Sequence, residues 1–362
     1  MELKYNITIS DASKDGEIVK FTVQTKIKET DESEGGKIVF RQYEDFEYLL
    51  HCLTTRNDTS AIIIPSLPPK PAAVPANAES KVNVKQNVSR TIGGDEYYKD
   101  CKRLQKFIQD LANHPLFKDD ENLEKFLTDE EPPVRAAVKR GLLDSFVSIV
   151  DNARFQHHKD VDDEFQKRRD NTNSLLLNMK QCHVNKGKML AAENSFANHL
   201  GTTAMTARNS ATVDIQNSKI LTRFLGQFSD VLDELQLKSE KTSFITDDTA
   251  GSIIELYARN LQSCQDMLFR RTCKLVESEN AAKALEKAKP KNRQQLLTAK
   301  EDADKVFDEV SDKAGTEFKR FTEQRIQNFQ TALSELADRH IENHQDTCEL
   351  LKKAITELKD VA

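Results

Sequence analysis

Residues 40–46 read Phe40-Arg41-Gln42-Tyr43-Glu44-Asp45-Phe46, and within this heptapeptide the spacing of apolar residues changes. Before it, Lys37-Ile38-Val39-Phe40 reads as a strand. After it, Phe46, Leu49, Leu50 and Leu53 fall on one face of a helix. Upstream, Tyr5, Ile7 and Ile9 alternate with polar residues, as do Val19, Phe21, Val23 and Ile27. The break at Asp15-Gly16 makes these two runs a hairpin, and Glu34-Gly35-Gly36 separates them from the third strand. The region therefore predicts a three-stranded meander followed by a helix, a small α+β domain.

Downstream, Ile62-Ile63-Ile64-Pro65-Ser66-Leu67-Pro68-Pro69-Lys70-Pro71 forbids regular helix and favours an extended polyproline path. Residues 72–94 are small and polar, ending in Gly93-Gly94, and read as a loop. Leu104, Phe107, Ile108 and Leu111 mark a helix that stops by His114-Pro115. A short helix through Leu123, Phe126 and Leu127 closes the domain.

The composition changes at Pro132-Pro133. Of 9 prolines in 362 residues, only Pro290 lies beyond this point. The net charge of −6 also lies wholly before it, since the later residues carry equal numbers of acids and bases. So few prolines predict long helices. The first helical segment, Val134 to Phe155, is amphipathic, with Leu142, Leu143, Phe146, Ile149 and Val150 on its apolar face. Such a segment either packs on a neighbouring bundle or lies in a membrane interface.

Three long periodic segments follow. The first uses Val161, Phe165, Leu176 and Phe196; the second runs from Ala211 to Leu275, with a kink or interruption expected around Asp247-Asp248-Thr249-Ala250-Gly251; the third starts after Pro290 and persists to Leu358. Lengths of about 40, 75 and 65 residues exceed what a globular fold needs and predict an elongated three-helix coiled coil. Phe307, Phe318, Phe329, His340 and Leu351 recur every eleven residues. That period favours straighter or right-handed packing, and the wide apolar stripe calls for dimerisation.

Several functions are excluded. No apolar run is long enough to span a membrane, and Met1-Glu2-Leu3-Lys4-Tyr5 does not open like a signal peptide. The six cysteines are scattered, without a C-x-x-C pair, which predicts free thiols and no metal site. The acidic balance argues against nucleic acid. His340-Ile341-Glu342-Asn343-His344 has its acid displaced from the zinc-protease position, and no phosphate loop, dinucleotide fingerprint or nucleophile elbow occurs. No cofactor or enzymatic activity is expected.

Together, residues 40–46, the proline-rich loop and Phe107-Ile108-Gln109-Asp110-Leu111-Ala112-Asn113-His114-Pro115 resemble the phox-homology (PX) domain of sorting nexins. With the long helices, the chain resembles the PX–BAR sorting nexins. Val161-Asp162-Asp163-Glu164-Phe165, the run from Arg270-Arg271-Thr272 to Glu279-Asn280, and Lys283-Ala284-Leu285-Glu286-Lys287-Ala288 are similar to the branch with an atypical PX domain. The resemblance implies a PX domain over 1–131, a linker with an amphipathic helix over 132–156, and an all-α BAR domain of three coiled-coil helices over 157–362.

It also implies site residues. PX domains typically grip a phosphoinositide headgroup with an arginine directly before the tyrosine, a stacked tyrosine, a lysine after the proline loop and a second arginine on the next helix. Here Arg41, Tyr43 and Lys81 are the pocket candidates, while Gln42, Asp100 and Cys101 depart from the pattern. Leu142, Leu143, Phe146, Ile149 and Val150 would enter the membrane. Lys283, Lys287, Lys289, Lys291 and Arg293 would form a basic BAR tip, with Arg270, Arg271 and Lys274 candidates for the concave face. Tyr97 and Tyr98 are the aromatics left to offer a cargo surface.

The function implied is that of a non-enzymatic peripheral protein on early endosomes that senses curvature and sorts cargo in retrograde or recycling transport. Its partners would be another sorting nexin in a heterodimer (or a second copy), phosphoinositide-bearing membrane, cargo receptor tails, and retromer or dynein–dynactin. A homodimer that binds phosphoinositide directly, and a cytosolic coiled-coil scaffold or motor adaptor, are the alternatives.

Overall fold

The computed structural model describes residues 5–15, 18–27, 36–71, 97–135, 158–214, 216 and 218–360. The chain divides into two compact units. The first takes its described residues from Met1–Val74, Tyr97–Asn178 and Ala258–Gln324, the second from Met179–Tyr257 and Arg325–Ala362.

Strands β1 (Tyr5–Asp15), β2 (Ile18–Ile27) and β3 (Lys37–Gln42) form an antiparallel meander in that order. Ile9 pairs with Val23, and Val23 with Val39. A bulge follows Ile9, where the next paired residue is Asp11. Tyr5, Ile7, Ile9, Phe21, Val23 and Val39 point to one buried face, as the period of two requires. Helices α1 (Tyr43–Arg56), α2 (Tyr98–Ala112) and α3 (Glu121–Thr128) cover it. Phe46 lies edge-on to Phe21 at 6.2 Å and to Phe126 at 4.9 Å, so three elements meet at one ring.

The long segments are α4 (Asp163–Asp214), α5 (Lys219–Thr246), α6 (Ser252–Glu286) and α7 (Arg293–Asp360). Asp247–Gly251, joining α5 to α6, is a turn of π-helix, at the place where the polar run predicted an interruption. Helix α4 has 52 residues rather than about 40, because polar residues continue a helix that the apolar spacing alone would have ended. The eleven-residue period persists in α7. The most enclosed series, though, is Val310, Phe321, Asn343 and Ala354, three positions beyond the Phe307 series, whose last member Leu351 is exposed.

Within the first unit, the PX-like fold is joined to α6 and α7 by buried polar contacts. Glu317 accepts hydrogen bonds from the Ile63 N–H and His114 Nε2, both at 3.1 Å, and from Arg320 Nε and Nη2. Arg270 donates to the carbonyls of Thr59 (3.2 Å) and Ile62 (2.6 Å). The Ser66 N–H donates to Asn260, and the Ser66 and Ser263 hydroxyls share a bond of 2.7 Å. Gln324 donates to Asp110 at 3.0 Å.

Candidate headgroup and membrane sites

The β3–α1 junction sets the geometry of the headgroup candidates. Strand alternation sends Val39 and Arg41 inward and leaves Phe40 about half exposed. Arg41 is fully buried and lies 5.3 Å over the Phe126 ring. Its guanidinium donates to the carbonyls of Phe126 (2.9 Å), Phe40 (2.9 Å) and Asp129. Burial pushes its pKa down, against the pull of Asp45 and Asp129. The structure thus places Arg41 as an internal clamp on the end of α3.

Tyr43 is also buried, and its hydroxyl donates to the Pro68 carbonyl at 2.7 Å, tying α1 to the proline loop. Gln42 precedes it as the N-cap residue. The Gln42 N–H donates to Asp45 Oδ2 at 2.7 Å, so the carboxylate of Asp45, itself wholly enclosed, sits at the helix N-terminus. An N-terminus is where a helix best accommodates an anion, and here the protein supplies that anion itself. Arg135 completes the arrangement. Its Nε donates to Asp45 Oδ1 at 2.8 Å and its Nη2 to Gln42 Oε1 at 2.9 Å. Beside it, Lys70 pairs with Glu44. Burial alone would raise the Glu44 pKa, but the Lys70 bond, a backbone bond and the charges of Lys70 and Arg135 together outweigh it, and the carboxyl falls below its usual range.

The other candidates are dispersed. Asp100 pairs with Arg103 at 3.2 Å, and Cys101 is buried in the core. Tyr97 belongs to the same core, whereas Tyr98 is half exposed with the Lys102 ammonium 5.6 Å from its ring. Lys81 and the apolar face Leu142, Leu143, Phe146, Ile149 and Val150 lie outside the described residues. Lys283, Lys287, Lys289, Lys291 and Arg293 are all exposed and close together in sequence, spanning the end of α6, the 3-10 turn Pro290–Asn292 and the start of α7.

Arg270 and Arg271 are not free to face a membrane. Arg270 is held by the two carbonyls described above, and burial lowers its pKa. Arg271 is almost wholly enclosed, paired with Asp160 at 2.5 Å and Ser311 at 2.9 Å, with its guanidinium 3.6 Å from the Phe165 ring centroid and 4.9 Å from that of Phe307. The sequence carries a signal for this. Arg271 falls in the row Cys264, Leu268, Arg271 and Leu275, whose apolar members are all buried. Glu317 likewise sits in the row Val310, Ala314, Glu317 and Phe321. A charge on a buried helix face requires partners.

Among the described residues no helix is long and apolar enough to cross a membrane, and no cluster of three metal-binding side chains occurs.

Comparison with known proteins agrees with these two architectures. The family profile for the PX domain matches residues 30–130, and that for "Vps5 C terminal like" matches 140–306. Sorting nexin-6 of Homo sapiens is 26% identical over 97% of this chain and 91% of its own length. The chain belongs to the PX–BAR sorting nexins. Human sorting nexin-32 is also 26% identical, over 98% of this sorting nexin and 93% of its own. The cryo-EM structure of the SNX-BAR Mvp1 tetramer matches with a TM-score of 0.63 at 16% identity, covering 96% of this chain and 99% of that one, which supports the fold. Neither family profile describes an enzyme.

Proposed function

We propose that this sorting nexin is a non-enzymatic peripheral membrane protein of endosomes, of the branch with an atypical PX domain. It stabilises curved membrane and sorts cargo receptor tails in retrograde or recycling transport, as a heterodimer with a sorting nexin whose lipid pocket is intact. The observation that carries this reading is Asp45. Its carboxylate fills the anion position at the N-terminus of α1, Gln42 stands where the family's phosphate-gripping arginine belongs, and Arg135 neutralises the pair. The PX domain is then a protein-recognition module. Membrane contact falls to the basic tip Lys283 to Arg293 and to the amphipathic stretch, each basic group near an anionic surface contributing about 1 kcal/mol.

The test is co-purification with a candidate partner that binds phosphoinositide, followed by tubulation of vesicles. Tubulation by the mixture and not by this chain alone supports the reading. A homodimer that tubulates unaided would replace it by the homodimeric, lipid-binding alternative.

A further inference from the structure

Arg135 follows Pro132-Pro133 and Val134, the last being 92% exposed. Two prolines restrict the backbone of this approach and lower the entropy lost on fixing it. Despite that exposed neighbour, the Arg135 side chain is only 35% exposed and reaches back 90 residues to Asp45 and 93 to Gln42. Asp45 has 1% of its side chain exposed, so its charge depends on nearby partners rather than water. Four residues upstream of Asp45, Arg41 holds the carbonyls of Phe126 and Asp129. Two arginines therefore clamp in opposite directions. One reaches from β3 to the end of α3, the other from the linker to the β3–α1 junction. Residues 126–135 are fixed at both ends.

We propose that Arg135 is a latch that holds the start of the linker, through Pro132-Pro133-Val134, on the PX domain. Asp45 and Gln42 are its keepers. The device rests on the contacts of the junction and stands whether or not the domain binds lipid. Releasing the latch frees the chain around Val134 without unfolding the domain, because the core around Phe21, Phe46 and Leu104 does not include Arg135.

Limited proteolysis of the full chain with elastase reads this directly, through the rate at which a fragment ending at Val134 appears. Gln42→Ala and Asp45→Asn leave the cleaved sequence unchanged. Each is expected to raise that rate, Asp45→Asn by about tenfold, with the Gln42→Ala chain still unfolding in one cooperative transition. In an Arg135→Ala background the same changes are expected to add nothing, since the partner is already gone. Equal rates in the parent, Gln42→Ala and Asp45→Asn chains would overturn the latch. So would effects as large with Arg135→Ala present as without it. Gln42→Ala keeps the test open if Asp45→Asn does not fold.

Discussion

His114 and Glu317 meet at 3.1 Å with both side chains nearly sealed from solvent, one in the turn after α2 and the other in the middle of α7. The Leu116 N–H donates to His114 Nδ1, which leaves Nε2 as the nitrogen that donates to Glu317. Burial by itself would raise the Glu317 pKa. The Arg320 and His114 bonds outweigh it and bring the group down to about 2. Glu317→Gln should cost roughly 3 kcal/mol at pH 7, the size of such a shift. The contribution is present above the ordinary carboxylate range and is lost as pH falls from about 4.5 toward 2. Denaturant unfolding of both chains at pH 7 and pH 3 checks this, the gap between them narrowing at the lower pH.

Tyr43→Phe separates the two roles considered for this ring. Losing the bond to the Pro68 carbonyl should cost about 1 kcal/mol of stability. Headgroup affinity, by calorimetric titration, should change neither in Tyr43→Phe nor in Tyr43→Ala. A stacking role would have tolerated the phenylalanine and reacted only to Tyr43→Ala.

Arg271→Ala should destabilise by about 3–5 kcal/mol, because Asp160 would be left buried and unpaired. Arg271→Lys should recover little of this, since an ammonium cannot reproduce the planar stack on Phe165 and Phe307 while bonding Ser311. Thermal unfolding of the three chains orders them.

In the second unit, α4 and α5 approach closely through small residues. Ala204 is fully enclosed, the Ser229 hydroxyl donates to its carbonyl at 2.8 Å, and Gln236 lies against Gly201. Ala204→Leu should cost about 1–3 kcal/mol by overpacking, read as a lower unfolding midpoint. Gly201→Ala should be milder, because the atom it meets ends a flexible glutamine.

Much of the fold was legible because it is local. The change of period at Gln42-Tyr43, the face Leu104, Phe107, Ile108 and Leu111, and the interruption at residues 247–251 all follow from residues adjacent in sequence. Phe40 and Arg41 show where local reading stops. The alternation is obeyed, but it buries the arginine and exposes the phenylalanine, because Arg41 finds carbonyls 85 and 88 residues away. Arg135, Glu317 and Arg270 depend on partners still more remote, 90 to 254 residues away, and no spacing rule encodes those. What could be read was the anomaly itself, a charge lying in an apolar row.

In the function proposed for this sorting nexin, its own Asp45 and Arg135 take the place of a bound headgroup at the N-terminus of α1. The most direct measurement is binding of the full chain to phosphatidylcholine–phosphatidylserine vesicles with and without a 3-phosphorylated phosphoinositide. Dissociation constants equal to within about twofold are expected. Binding tightened about tenfold or more by the phosphoinositide, and lost in Tyr43→Ala, would contradict it.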